Sequence, residues 1–344
     1  MKKYLLPKNG NAYKANLHAH TTVSDGRNTA GEMRDYYRSR GYSILAVTDH
    51  ELLVDHTALS QPDFLMLTGY EYAFSEKFYD PETPEGIADY QHMHTLEFNL
   101  YPRDEHNVTH ICFDKDFVIH GEKWRCDTVK SVGRNDHRAL TLENVQEFID
   151  TANANGFIVS LNHPRHSFYT PAFFGKLRGL FAVELFNQGT YYLADDYNPQ
   201  TYDDMIRMGH RIGAIGADDN HRTRIDGDEE DIRPWAHTIV IADSLSHDDV
   251  FRALEKKDFY ATQGPRFEEI YAEDGVAHLA FEKVKYVIMH TNFRHYRMFS
   301  APNGEFLTEA KFPLPLEEKE FFRFEIIDSY GRRAVTRAYF PDEC

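Results

Sequence analysis

Continuous apolar segments recur along the first two thirds of the chain, and each ends in polar side chains. Segments such as YSILAV (42–47) and GFIVSL (156–161) lack polar alternation, which is typical of strands buried on both faces. Helical patterns over 29–41, 141–154 and about 199–209 separate these segments. This alternation of helices and buried strands predicts an α/β fold with a parallel sheet, either open or closed into a barrel.

The residues that end the predicted strands are of the kinds that bind metal ions. In α/β barrels the carboxyl ends of the strands form the active site, so we expect these side chains to converge on one rim. Two side chains two positions apart on a strand point to the same face, as the pair in NLHAH does. The strand-ending residues are His18, His20, Asp49, His50, Glu71, His163, Asp219 and His221.

Two other regions depart from this alternation. Residues 72–140 are turn-rich and irregular, and we interpret them as an insertion that serves as a lid or a specificity element. Residues 266–344 contain β-like segments separated by turns, which favours a small C-terminal β-sandwich domain. The sequence therefore predicts a first domain over 1–265 and a second over 266–344.

Composition limits the class of protein. The net charge of −17 argues against a partner such as long nucleic acid, which requires a basic face. Three scattered cysteines without a CxxC motif argue against a disulfide framework or a thiolate zinc site. The N-terminal apolar run is too short for a signal peptide, and no segment is apolar enough to cross a membrane. These features favour a reducing, cytoplasmic location.

Histidine and carboxylate side chains without thiolates suit zinc, manganese and iron alike. A carboxylate such as Glu71 can bridge two metal ions, which together hold the attacking and leaving oxygens of a phosphoryl displacement. A hydroxide between the ions would be the nucleophile, because metal binding lowers the pKa of water towards neutrality.

Five motifs, in order, give the chain a resemblance to the PHP (polymerase and histidinol phosphatase) family: HAHTTVSDG, VTDHE, GYEY, LNHPR and GADDNH. The resemblance covers roughly residues 13–263, and the segment 235–265 also resembles the corresponding part of two-domain members predicted to be metal-dependent phosphoesterases. It implies a distorted (β/α)7 barrel of the PHP type that holds two or three divalent metal ions.

The resemblance also implies a ligand set. His18, His20, Glu71 and Asp219 would hold a first ion, and Glu71 would bridge to a second, completed by His163 and a histidine of QHMHTL. Asp25, His50 and His221 would hold a third. The histidine of QHMHTL is His94 in our assignment, with His92 as the alternative.

Several neighbouring side chains receive other roles. Asp218 is expected to support Asp219 or the fold, and Asp49 to orient a neighbouring group rather than to bind metal. Glu184 lies in the middle of an apolar strand, and the sequence leaves open whether it faces the site. The insertion histidines His110, His120 and His137 are expected at the surface.

A phosphate also requires cations and a proton donor from the protein. Arg27 and Arg165 are the candidate phosphate-binding cations, and each could equally be a solvated loop residue. His166 is the candidate general acid for the leaving group.

These features together predict a phosphoesterase that acts on a small phosphorylated metabolite or a short nucleotide. One alternative keeps the metal centre but hydrolyses a non-phosphate bond, because the same centre activates water for other electrophiles. A second alternative is a binding protein that uses its C-terminal β-domain. The exonucleases of DNA repair and proofreading that share this metal centre rank low, because the chain has no basic stripe. The sequence does not indicate an oligomeric state.

Overall fold

The computed structural model describes residues 2–77, 93–114, 116–119, 122–125, 128–134, 138–167, 169–189, 197–222, 236–294, 297–315 and 321–344. His92, His120, Cys126 and His137 lie outside the described residues.

Within these ranges the chain forms five α-helices and twenty-two β-strands. The helices are α1 (Ala30–Ser39), α2 (Leu142–Ala154), α3 (Pro171–Phe174), α4 (Pro199–Arg207) and α5 (His247–Lys256). The strands of the first half are β1 (Lys3–Tyr4), β2 (Asn11–Asn16), β3 (Ile44–Val47), β4 (Leu65–Thr68), β5 (Tyr70–Lys77), β6 (Met93–Pro102), β7 (His110–Ile111), β8 (Asp116–Ile119), β9 (Glu122–Arg125), β10 (Ser131–Val132) and β11 (Phe157–Leu161). Those of the second half are β12 (Leu180–Asn187), β13 (Gly213–Ala217), β14 (His237–Ala242), β15 (Phe259–Thr262), β16 (Phe267–Glu273), β17 (Val276–Val284), β18 (Tyr286–Thr291), β19 (Arg297–Ser300), β20 (Leu307–Pro313), β21 (Phe322–Ile327) and β22 (Arg333–Thr336).

The helix starts follow local capping chemistry, and the predicted helices are confirmed. Thr29 caps α1 through a capping box, in which its side chain accepts from the Glu32 N–H and the Glu32 carboxylate accepts from the Thr29 N–H. Thr141 caps α2 and Ser246 caps α5 in the same first-turn manner. These caps satisfy N–H groups that the helix itself leaves without partners.

Two runs of parallel strands carry the predicted α/β pattern. Strands β2, β3 and β4 pair in parallel, and so do β11, β12 and β13. The second run belongs to a five-stranded sheet in the order β13-β12-β11-β6-β5, in which β6 is antiparallel to both neighbours. The fold is therefore mixed α/β, with antiparallel strands that the periodicity did not predict.

Strands from both sides of the predicted domain boundary share one sheet. The nine-stranded sheet has the order β19-β18-β21-β22-β15-β14-β2-β3-β4 and so joins C-terminal strands to N-terminal ones. A second sheet, β1-β16-β17-β20, packs on its C-terminal half through a common hydrophobic core that includes Ile270, Phe312 and Phe324. This continuous sheet contains strands from both sides of residue 265 and therefore does not divide the chain there. The domain boundary near residue 265 stays a prediction.

The two large sheets approach each other where the polar strand ends lie. Isolated parallel bridges pair Ala19 with Asn220 and His50 with Glu71, and each bridge connects one sheet to the other. No sheet within the described residues closes on itself, so a closed barrel is not established. None of the helices in the described ranges has the length and apolar content that a membrane crossing requires.

Candidate metal centre

The ligand-type side chains predicted from the strand ends do meet in the structure. Within the described residues, they form overlapping groups whose potential ligand atoms lie within 4.8 Å of one another. The members come from the segments that follow β2, β3, β11 and β13, and from β5 and β6. The groups contain His18, His20, Asp25, His50, Glu71, Glu97, His163, His166, Asp219 and His221.

His18 and His20 are fully buried and face each other across the centre. The Nδ1 of His18 donates to Glu184 at 2.7 Å, which directs its Nε2 towards the Nε2 of His20 at 3.0 Å. The Oδ1 atom of Asp219 lies 3.2 Å from the His18 Nε2 and 3.0 Å from the His20 Nε2. Two nitrogens and one oxygen therefore converge on a single point.

These side chains fit a metal ion. The Oδ1 of Asp219 is buried and makes no hydrogen bond of good geometry with any described residue, although both imidazoles are close. Two ligands of one ion at about 2.1 Å in tetrahedral geometry are separated by about 3.4 Å. The Nε2 atoms of His18 and His20 lie 3.0 Å from each other and 3.0–3.4 Å from carboxylate oxygens of Asp219 and Glu71. These distances agree with that spacing.

Glu71 faces two sets of imidazoles with its two carboxylate oxygens. Its Oε1 lies 3.4 Å from the His18 Nε2 and 3.2 Å from the His163 Nε2. Its Oε2 lies 3.4 Å from the His20 Nε2 and 3.1 Å from the His50 Nδ1. The side chain is 1% exposed. A carboxylate placed in this way can contribute one oxygen to each of two ions.

Asp25, His50 and His221, which were predicted to hold a third ion and are called the third group below, lie on the solvent side of the centre. Asp25 Oδ2 is 3.2 Å from the His221 Nε2 and 3.6 Å from the His50 Nε2, and the His20 and His221 rings stack at 4.2 Å. The side chains of Asp25, His50 and His221 are 54%, 32% and 38% exposed, so this part of the centre is open to solvent.

Glu97 belongs to the centre, and the sequence reasoning missed it. Its Oε2 lies 3.5 Å from the His163 Nε2, and it joins two of the metal-competent groups. In the β5–β6 pair, Asn99 lies opposite Glu71 and Glu97 opposite Ala73. Because side chains alternate along a strand, Glu97 shares the face of Asn99. That alternation was the signal available in HMHTLEFNL.

His94 lies elsewhere on the same strand. It is five residues from Asn99, about 17 Å along an extended strand, and belongs to the opposite face. Its ring contacts that of Tyr169 at 5.5 Å, and it is in none of the groups found among the described residues. The structure therefore does not bring His94 to the cluster, and the alternative His92 lies outside the described residues.

Three further carboxylates lie beside the centre, and of these Glu184 bonds directly to candidate ligands whereas Asp49 and Asp218 bond to neighbouring residues. Glu184, left open by the sequence, accepts from the His18 ring and also from the backbone N–H of His163 at 2.8 Å. Asp49 accepts from the backbone and hydroxyl of Thr21, both at 2.7 Å. Asp218 accepts from the Tyr37 hydroxyl at 2.6 Å, as expected for the supporting aspartate of the pair.

The charge distribution keeps Glu71 and Asp219 ionised, whereas burial and then the nearby Glu71 raise the pKa of Glu97 to about 7. Burial opposes ionisation, but the surrounding imidazoles hold the pKa values of Glu71 and Asp219 well below their usual range. Burial also opposes protonation of His163, yet Glu71 and Glu97 raise its pKa to about 10. The carboxylates around His221 likewise outweigh its burial and raise its pKa to about 9. The raised pKa values of His163 and His221 reflect the negative charge that the nearby carboxylates place around these imidazoles.

The predicted catalytic residues have different surroundings. His166 is half-buried with its ring 5.3 Å from that of His163, and burial and then the nearby His163 lower its pKa. Arg27 and Arg165 have exposed side chains. The backbone N–H of Arg27 donates to the carbonyl of His221 at 2.7 Å, which places this residue beside the third group.

The prediction for His110 was wrong. This histidine is 4% exposed, and its Nε2 accepts a hydrogen bond from the backbone N–H of Leu53 at 2.9 Å. An irregular segment can still bury a polar side chain when a backbone group satisfies it.

The structure resembles solved proteins described as phosphoesterases and as an amidohydrolase. A two-domain protein from Bacteroides vulgatus, described as containing a predicted PHP-like metal-dependent phosphoesterase, is 14% identical over 98% of both chains, with a TM-score of 0.45. A proposed metal-dependent phosphoesterase from Bifidobacterium adolescentis is 13% identical over 72% of this chain and 97% of its own, with a TM-score of 0.36. An amidohydrolase from Chromobacterium violaceum, with bound sulfate and no metal, is 16% identical over 71% of this chain and 96% of its own, with a TM-score of 0.40.

No protein-family model and no curated protein matches the sequence.

Proposed function

We propose that this protein is a metal-dependent phosphoesterase. The observation that carries the proposal is Glu71, whose two oxygens each face a different pair of imidazoles at 3.1–3.4 Å. This arrangement supports a centre of at least two divalent ions, and zinc, manganese and iron all suit its ligand atoms.

The ligand assignment combines the sequence prediction with the groups in the structure. His18, His20, Asp219 and Glu71 would hold the first ion. The second ion would be held by Glu71, His163 and Glu97. Glu97 replaces His94, which was the ligand predicted from the sequence. Asp25, His50 and His221 would hold the third. A second ion held by two carboxylates and one imidazole would favour manganese or iron over zinc, because carboxylate is the harder ligand.

The fold is part of the same proposal. The motif resemblance supports a distorted (β/α)7 barrel of the PHP type over 1–265 and a small C-terminal β-sandwich domain over 266–344. The three scattered cysteines without a CxxC motif support a reducing, cytoplasmic location.

Bound ions would stabilise the charge of the phosphoryl group and lower the pKa of the attacking water. The protein side chains supply the remaining functions. Glu71 and Glu184 fix the imidazoles in one orientation, and the buried walls around His18 and His20 exclude bulk water. His166, on the half-buried edge, can donate a proton to the leaving oxygen when its ring is protonated, a form that burial and then the nearby His163 disfavour by lowering its pKa. Arg27 and Arg165, on the exposed rim, can bind the outer phosphate oxygens.

The substrate class follows from charge and access. The net charge of −17 disfavours long polyanions, whose binding depends on many Lys and Arg contacts. A small phosphorylated metabolite or a short nucleotide has few charges and can be held by the ions and two arginines.

Metal content is the decisive measurement. Protein purified without added metal and the Glu71→Ala variant would be compared by inductively coupled plasma mass spectrometry, with Glu268→Ala, an exposed carboxylate on β16, as control. We expect two or three ions per wild-type chain, a sharp loss in Glu71→Ala and no loss in Glu268→Ala. At most one ion per chain, unaffected by Glu71→Ala, would contradict the proposal and favour the binding-protein alternative.

Reaction class requires a substrate panel. The metal-loaded protein would be assayed on phosphomonoesters, short phosphodiesters, carboxylic esters and amides. Turnover of phosphoesters alone supports the proposal, whereas turnover of carboxylic esters or amides alone would show that the same centre acts on a non-phosphate bond.

A further inference from the structure

A partly buried ion pair between Arg138 and Glu51 begins at the residue that follows His50 in the chain. Arg138 donates from Nη1 to the Oε1 of Glu51 and from Nη2 to its Oε2, both at 2.7 Å. The two side chains are 15% and 11% exposed. Neither residue belongs to the metal-competent groups found in the described part of the chain.

Glu51 has a backbone conformation that a side chain disfavours. Its φ of 64° lies in the left-handed region, where residues other than glycine are uncommon. The N–H of Leu52 donates to the carbonyl of His50 at 2.8 Å, which closes a tight three-residue turn centred on Glu51. This turn sets the position of the candidate ligand His50. Because its backbone conformation is unfavourable, surrounding interactions must stabilise the turn.

Arg138 joins this turn to the strand that carries Glu71. Besides its two bonds to Glu51, its Nη1 donates to the carbonyl of Ala73 on β5 at 3.0 Å, and its guanidinium lies 4.1 Å from the centre of the Tyr72 ring. The Glu51 N–H donates to the carbonyl of Glu71 at 2.8 Å. The turn after His50 is thus attached to β5 at its backbone and at its side chain.

We propose that Arg138 is a positioning residue that holds the His50–Glu51 turn against β5 and thereby sets the affinity of the third ion. The inference rests on the proposed metal centre. Only the planar fork of arginine binds both carboxylate oxygens and the Ala73 carbonyl together, so lysine cannot replace it. The His50 side chain is 32% exposed, so its position depends on the turn as well as on its contacts with the His20 ring at 4.4 Å and with Glu71 Oε2 at 3.1 Å.

The test compares Arg138→Lys and Arg138→Met with Arg323→Lys. The control variant, Arg323→Lys, removes a different bidentate ion pair. In that pair Arg323 donates to Asp203 at 2.7 and 2.9 Å, and it does not contact the candidate ligands. Cobalt titrations followed by visible absorption, together with metal analysis, would report the affinity and number of bound ions. Hydrogen exchange of residues 48–53 in metal-free protein would report the turn itself.

We expect both Arg138 variants to bind one cobalt ion at least tenfold more weakly, to keep the others, and to exchange the 48–53 amides faster. Arg323→Lys should lose thermal stability but bind cobalt as the wild type does. The inference is overturned if Arg138→Met binds every ion with wild-type affinity, or if all ions weaken together in both Arg138→Met and Arg323→Lys. A wild-type protein that binds no cobalt would instead overturn the metal centre itself.

Discussion

Glu184 accepts a hydrogen bond from the Nδ1 of His18 at 2.7 Å, with both side chains at most 1% exposed. The bond assigns the ring proton to Nδ1 and leaves Nε2 free to bind a metal ion. A carboxylate in the middle of an apolar strand is costly to bury without such a partner. The position of Glu184 is therefore explained by the ligand that it orients.

Replacing Glu184 by alanine should weaken metal binding without removing a ligand. We expect the affinity for the tightest ion to fall about 10- to 100-fold, because His18 loses its fixed orientation. Competition with a chelating dye would measure this. Asp203→Ala, which removes another half-buried carboxylate, should leave the affinity unchanged, and equal losses in both variants would contradict the orienting role.

Glu97 and His94 allow a direct comparison of two candidate ligands on one strand. We expect Glu97→Gln to lower the number of bound ions or to weaken the second ion by at least tenfold, since an amide is a poorer ligand than a carboxylate. His94→Gln should retain the wild-type metal content. The reverse result, measured by the same mass spectrometry, would restore His94 as the ligand.

His166 should matter most when the leaving group needs a proton. In His166→Asn we expect turnover of an alkyl phosphate to fall by about 10²- to 10⁴-fold. Turnover of 4-nitrophenyl phosphate should fall much less, because nitrophenolate leaves without protonation. The exposed His106 provides the control variant His106→Asn. A loss of metal in His166→Asn would instead identify this histidine as a ligand.

The buried Glu325 should make the fold sensitive to acid. Burial opposes its ionisation, but His290, Arg333 and Arg323 lower its pKa from the usual 4.5 to about 2. Its stabilising effect is therefore complete above about pH 4.5 and is lost as the pH falls towards 2, an effect of roughly 3 kcal/mol.

Urea unfolding of metal-free protein at several pH values would check this dependence. Glu325→Gln should be less stable than wild type near pH 6, and the difference should shrink towards pH 2. Glu268→Gln, which changes an exposed carboxylate, should follow the wild type throughout. A difference between Glu325→Gln and wild type that does not vary with pH would contradict the prediction.

Local sequence determined the elements and most of the centre. Helix α1 begins after Thr29 because its capping box needs only Thr29 and Glu32. The paired histidines of the opening motif directly follow β2, and the polar residues that follow β2, β3, β11 and β13 come close together because these strands pair in parallel within their sheets. These features depend on chain neighbours and on one simple periodicity.

The tertiary structure alone decided which residues lie opposite one another. The register of β6 against β5 places Asn99 opposite Glu71 and so brings Glu97, on the same face of β6, near His163, and a motif spacing contains no information about that register. Glu184 and Arg138 likewise find their partners, His18 and Glu51, only through folding, because these residues are 166 and 87 positions apart. Contacts between residues so distant in sequence depend on the packing of the whole chain. Local sequence patterns therefore do not predict them.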